Sequence, residues 1–168
     1  MREQGMARVV DWIVSNVATE SGTIIWTHNL HAAQVDFRMP SMGEAEFRPM
    51  GVLLSDRYGD SFRSVAGTFG RGSFSSDSPR GERIFAELDP TSVDGAMMVM
   101  GKPTMLINLR SIEPSSDTAN WLAVRREWRM QDATAILTVK PGFDGIFYVD
   151  SVSHATLTPN AIARASSE

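Results

Sequence analysis

Alternating helical and strand-like segments predict an α/β layered fold, with a mostly parallel or mixed central sheet flanked by helices. Three observations carry this reading. Met6, Val9, Val10, Ile13, Val14 and Val17 recur at helical spacing and form one apolar stripe over about three turns. Thr23 to Thr27 follows as a short unbroken apolar run, the pattern of a parallel strand covered on both faces. A helix feeding such a strand is half of an α/β repeat, and the alternation continues along the chain.

Ser21-Gly22 supplies the stop between the first helix and strand. Residues 32–48 read as an irregular loop punctuated by Pro40, Ser41 and Gly43. Pro49 can open a second helix, with Met50, Leu53, Leu54 and Tyr58 on its buried side and Gly59 at its end. Phe62 to Phe69 is a second strand, "GRGSFSSDSPRGE" a turn-rich loop and "RIFAEL" a short strand. Thr91 or Ser92 caps a helix over "VDGAMMVM", and Pro103 bars its continuation before the core strand "TMLINL". A short helix from Ala119 to Arg126 and two strands, "TAILTV" and "GIFYVD", complete the pattern, the last two separated by a turn at Pro141-Gly142. The small, polar residues from Thr158 onward read as a fraying tail.

The 168 residues suit one domain with a core of its own. A formal charge of -4, with sixteen scattered Lys and Arg, gives no footprint for a nucleic-acid partner. The absence of cysteine excludes disulfides, Cys-type zinc sites and thiol chemistry, and fits a reducing compartment. "MREQGMARVVDW" lacks the apolar core of a signal peptide, and no apolar run approaches the roughly 18–20 residues that span a bilayer. The expectation is a cytoplasmic protein with no membrane partner.

The chemistry-bearing signal is "GTIIWTHNLHAAQVD", Gly22 to Asp36. Two of the three histidines, His28 and His31, fall where the apolar run ends. In open α/β sheets ligands sit outside the carboxyl ends of the strands, so His28 is expected at that rim. His31 reaches the same space if the chain turns there. Imidazoles at such a place can position a water, polarise a carbonyl or protonate a leaving group. Two other readings stand beside this one. Each ring could simply satisfy backbone at the strand's end, or the pair could chelate a metal with Asp36. "GTFGRGS" matches neither the dinucleotide nor the P-loop fingerprint and reads as a turn, although Arg71 within it could hold an anionic or polar substrate group. His154 reads as a surface residue.

Four blocks, in order, resemble the erythromycin esterase-like family. They are Arg2-Glu3-x-x-Met6-Ala7 with Trp12; Trp26-Thr27-His28-Asn29-Leu30-His31; Met50-Gly51, Leu54, Tyr58-Gly59-Asp60 and "VAGTFGRGSF"; and Phe143-Asp144-Gly145-Ile146 with Asp150. The second is similar to the family's Trp-Ala-His-Asn-x-His. The resemblance implies a metal-independent, cofactor-free hydrolase that opens the lactone of macrolide antibiotics, or another ester, with an activated water. On the matching positions, His28 and His31 would line the cleft and stabilise charge developing on the ester oxygen. Asn29, Arg2, Glu3 and Arg71 would contact the substrate.

Family proteins are more than twice this length, and the matching blocks belong to their C-terminal half. Their general base is a histidine in a Gly-Glu-x-x-His motif upstream of these blocks. No glutamate here is followed three residues later by histidine. Residues 1–157 are therefore expected to form the C-terminal part of such a domain, incomplete in its sheet, with 158–168 as a flexible tail. The expected partners are a small ester or lactone and either a complementing N-terminal segment or a second copy at an open sheet edge. The alternative is a non-catalytic ligand-binding or protein-interaction module.

Overall fold

A computed structural model describes residues 2–18, 20, 22–43, 45–74, 83–85, 88–130 and 133–153. His154 and the tail from Thr158 lie outside the described residues. The first helix, α1 (Arg2–Asn16), lies against α3 (Met50–Tyr58). Ala7, Met50 and Leu54 form their shared core, with Met6, Val10, Leu53, Tyr58 and Phe62 packed around it. Gly59 ends α3 at φ 49°, a left-handed conformation that glycine adopts without steric penalty. Four of the six stripe residues are at least partly covered, whereas Val9 and Val17 face solvent.

The strands form two four-stranded sheets rather than one central sheet. The first is antiparallel and joins β1 (Phe37–Arg38), β2 (Glu46–Phe47), β6 (Arg125–Met130) and β7 (Ala133–Thr138) in the order β2-β1-β7-β6. The second is mixed and joins β3 (Val65–Phe74), β4 (Arg83–Phe85), β5 (Thr104–Asn108) and β8 (Gly145–Val152) in the order β4-β3-β8-β5. Among the described residues only β3 and β8 run parallel, in the register Ala66↔Ile146 and Thr68↔Tyr148. The fold is thus a mixed α/β layer structure.

One core unites the sheets. Phe37, Trp128 and Leu137 of the first sheet meet Ala66, Ile146 and Tyr148 of the second. Val93 and Met97 of α4 (Val93–Val99) join them. Trp128 packs edge-on to Phe143, with ring centroids 5.2 Å apart. Ser92 caps α4, its hydroxyl accepting from the Gly95 amide. The short α-helices among the described residues are α2 (Asn29–Ala32), α5 (Asp117–Leu122) and α6 (Val139–Gly142). No helix among the described residues is long and apolar enough to cross a membrane.

Several expectations need correcting. Residues 22–28 form no strand, and Ile24 and Trp26 are 95% and 99% exposed. A strand needs a hydrogen-bonding neighbour and a covered face, and neither meets this run among the described residues. The expected loop over 32–48 contains the short pair β1 and β2, and β3 runs on to Phe74 through the expected turn. The helix expected to reach Arg126 stops at Leu122, and Arg125–Met130 is strand. Pairing with β7, not local propensity, decides that segment.

One face of the second sheet is exposed among the described residues. Ala66, Ile146 and Tyr148 point into the core, so Val65, Phe147 and Leu106 point the other way, where all three are exposed. Parallel strand pairs are ordinarily covered on both faces.

Candidate active site

His28 sits at the N-cap of the one-turn helix α2, with extended backbone at φ -70° and ψ 146°. Its carbonyl accepts from the His31 and Ala32 amides at 2.9 and 3.2 Å, and its Nδ1 accepts from the Leu30 amide at 3.2 Å. This turn places the two rings on different neighbours. His31 Nδ1 lies 3.0 Å from Glu3 Oε2. That oxygen also accepts from the Met50 amide at 2.9 Å, so one buried carboxylate joins α1, α2 and the start of α3. Close packing holds the arrangement: a Cβ on Gly51 would meet the Ala32 and Ala33 carbonyls at 2.3 and 2.4 Å.

Asn29 acts as a brace. Its side-chain amide donates to the Gly67 carbonyl at 2.6 Å and accepts from the Gly67 amide at 3.1 Å. A side chain thereby takes the place of a neighbouring strand along β3. Farther along, the Arg129 guanidinium donates to the carbonyls of Phe69 and Gly70 and stacks 4.1 Å from the Phe69 ring centre.

Between these walls lies an open hollow of roughly 370 Å³, lined by Trp26 to Asn29 on one side and by Gly67 to Phe69 with Arg129 on the other. His28 lines it, whereas His31 is turned to Glu3. The Thr68 hydroxyl bonds Asp94 Oδ1, and the Arg129 amide donates to Asp94 Oδ2 at 2.7 Å. Burial pushes the Asp94 carboxyl above its usual range, with Thr68 and Arg129 pulling against it. Burial likewise lowers the Arg129 guanidinium. Sequence patterning did not single out Asp94, Thr68 or Arg129. Asp94 reads as an ordinary first-turn acid of a helix, and Arg129 falls between the helix expected to end at Arg126 and the expected strand "TAILTV". A carboxylate within an apolar helix, "VDGAMMVM", was the one signal available.

The remaining expected residues sit elsewhere. Arg71 is exposed and paired with Asp150 at 2.7 Å, and Asp150 also accepts from the Tyr148 hydroxyl at 3.2 Å. The Arg71 partnership raises the guanidinium and lowers the Asp150 carboxyl. Arg2 is exposed in the first turn of α1. Asp36, the carboxylate considered with the histidines as a metal set, lies 3.6 Å from Arg48 instead. No group of three or more His, Asp or Glu among the described residues is placed to share an ion. A second, more open hollow between α1 and α3, roughly 490 Å³, holds neither histidine. Its Asp11 is engaged by Arg57 at 2.7 Å and Tyr58 at 2.8 Å.

Residues 1–152 match the family model described as erythromycin esterase. The chain belongs to the erythromycin esterase family. No curated protein matches it. Solved structures share the fold of this esterase-family chain. One is a Bacillus cereus protein, with 21% identity, a TM-score of 0.74, and coverage of 90% of this chain and 38% of that one. A succinoglycan biosynthesis protein gives 19%, 0.76, and the same two coverages. A histidine-to-asparagine mutant of erythromycin esterase EreC in its open conformation gives 22%, 0.63, and coverage of 89% and 36%. At these identities the likeness is one of fold. The chain spans 38% or less of the length of these structures.

Proposed function

We propose that these residues form the imidazole side of an ester-hydrolase site, in which an activated water opens a carboxylic ester or a macrolide lactone without a metal. The observation that carries this reading is His28 on the wall of an open hollow, beside Thr68 and Arg129, in a chain of the erythromycin esterase family. His28 faces the ester oxygen and stabilises the charge that develops on it. His31 belongs to the same site through the shared turn of α2. Asn29 fixes the distance between the histidine turn and β3 by clamping Gly67. Glu3 serves His31, while Arg2 and Arg71, the latter paired with Asp150, are exposed cations on the side of a substrate's outer parts.

The 168 residues contain no Glu-x-x-His, so the base that activates the water comes from another segment. This predicts little hydrolysis of p-nitrophenyl acetate or of a macrolide lactone by the chain alone. Supplying the N-terminal half of a family relative as a separate polypeptide should restore turnover. His28→Ala should then remove most of it, on the order of a 100-fold loss, the size of one lost oxyanion donor. Full activity of the chain alone, or reconstituted activity indifferent to His28→Ala, would refute the reading. The uncovered face of the second sheet favours a second reading, a non-catalytic interaction module. Under that reading a partner binds undiminished after both histidines are changed to Ala.

A further inference from the structure

The two histidines have different hydrogen-bond partners at the same ring atom, and this fixes where each proton lies. A neutral imidazole carries one N–H and one lone pair. At His28 the partner of Nδ1 is a backbone N–H, that of Leu30 at 3.2 Å. An N–H can only donate, so Nδ1 of His28 holds the lone pair and its proton sits on Nε2. At His31 the partner of Nδ1 is a carboxylate oxygen, Glu3 Oε2 at 3.0 Å, which already accepts from the Met50 amide at 2.9 Å. That oxygen calls for a donor, so the His31 proton sits on Nδ1 and the lone pair on Nε2.

We infer that the pair is locked in opposite tautomers, with His28 a hydrogen-bond donor at Nε2 and His31 a proton acceptor at Nε2, and that Glu3 is the positioning residue that sets His31. The locking is built into the packing. The His28 tautomer is set by the cap of α2 itself. The Glu3 side chain is 10% exposed and bridges two helices and the turn, so it has little freedom to leave. Tautomer choice by the partner of the other ring nitrogen is how proteins assign roles to histidine.

The chemical consequence rests on the hydrolase reading above. In this tautomer His28, which lines the hollow, carries its proton on Nε2, and in its neutral form it has no lone pair at that nitrogen to take a proton from water. Of the two, only His31 presents a lone pair at Nε2. General-base duty at the hollow therefore falls to a group other than His28.

Tautomers are read directly from long-range 1H–15N correlation spectra of the 15N-labelled full chain at about pH 8, above the ordinary imidazole range. His154→Gln removes the third histidine's signals, and His31→Gln assigns the remaining two. The expected spectrum shows a protonated Nε2 with lone-pair Nδ1 for His28, and the reverse for His31. Glu3→Ala should move His31 towards the Nε2–H form and leave His28 unchanged. The inference is overturned if both rings show the same tautomer in the wild type, or if His31 keeps its Nδ1 proton in a folded Glu3→Ala protein. Should that variant not fold, the wild-type spectrum decides by itself. The spectrum does not depend on turnover, so failure of the hydrolase reading and failure of this one are separate results.

Discussion

Asp144 shows how much one side chain can hold. Its Oδ2 accepts from Gln34 Nε2 at 2.7 Å and from the Ser64 amide at 2.9 Å, and its Oδ1 accepts from Arg110 at 3.1 Å. Ser64 in turn donates to the Ala32 carbonyl at 2.8 Å, so the network ends on the histidine turn. Burial works to raise the Asp144 carboxyl, but the Ser64 amide, Arg110, Gln34 and Arg63 outweigh it and hold it below the usual carboxylate range. A carboxyl lowered by folding stabilises the native state above its unfolded pKa of about 4, and that contribution is lost as pH falls through the folded value. Urea denaturation should therefore show stability declining below about pH 4, with a shallower decline in Asp144→Asn. At about pH 7 the same variant should lose on the order of 2–4 kcal/mol, as expected when a partly buried, multiply bonded charge is removed. The Phe143-Asp144 block is visible in the sequence, but its role is not. Gln34 and Asp144 lie 110 positions apart, and nothing local joins them. Asn29 teaches the same lesson: its amide reads as a substrate contact, yet it engages Gly67, 38 positions away.

Among the elements, the close contact between α2 and α3 bears directly on the histidine turn. Gly51→Ala would press a methyl into two backbone carbonyls, which cannot rotate away as a flexible side chain would. Overpacking of this kind costs about 1–3 kcal/mol. It should lower the melting temperature and disturb the His31 ring signals together, whereas a melting curve equal to the wild type's would mean that the helices separate freely. Ser92→Ala should cost about 1 kcal/mol by removing the α4 cap, measurable by the same denaturation. Both α3 and α4 are legible because their signals are local: Pro49 and Gly59 bracket one, and Ser92 opens the other. The strand Arg125–Met130 is not. Trp128 is fully buried, but its charged neighbours, Arg125, Arg126, Glu127 and Arg129, blur the alternation. Only the ladder Glu127↔Ile136 and Arg129↔Thr134 makes the segment a strand.

For the molecule as a whole, the apolar surface is the outstanding property. Trp26 and Ile24 are almost fully exposed, and Val65, Leu106 and Phe147 form an uncovered sheet face. Surfaces of this kind are covered when an opportunity exists. Sedimentation should show an average mass that rises with protein concentration, and Leu106→Lys with Trp26→Ser should suppress the rise. A monomer at every concentration would show that the face tolerates water.

Taken alone, the sequence determined the α/β alternation, the ends of α3 and α4 and the family to which the chain belongs. These rest on signals within a few residues: spacing, caps, proline, glycine and short motifs. Only the tertiary structure decided that the strands divide into two sheets, that Ile24 to Trp26 lie open, that His28 lines the hollow and that His31 turns to Glu3. Each of these depends on which distant group supplies a hydrogen-bond partner or a covering layer, as Glu3 does for His31 from 28 positions away. A chain's local pattern states what its polar and apolar groups require, and only packing settles which groups meet those requirements.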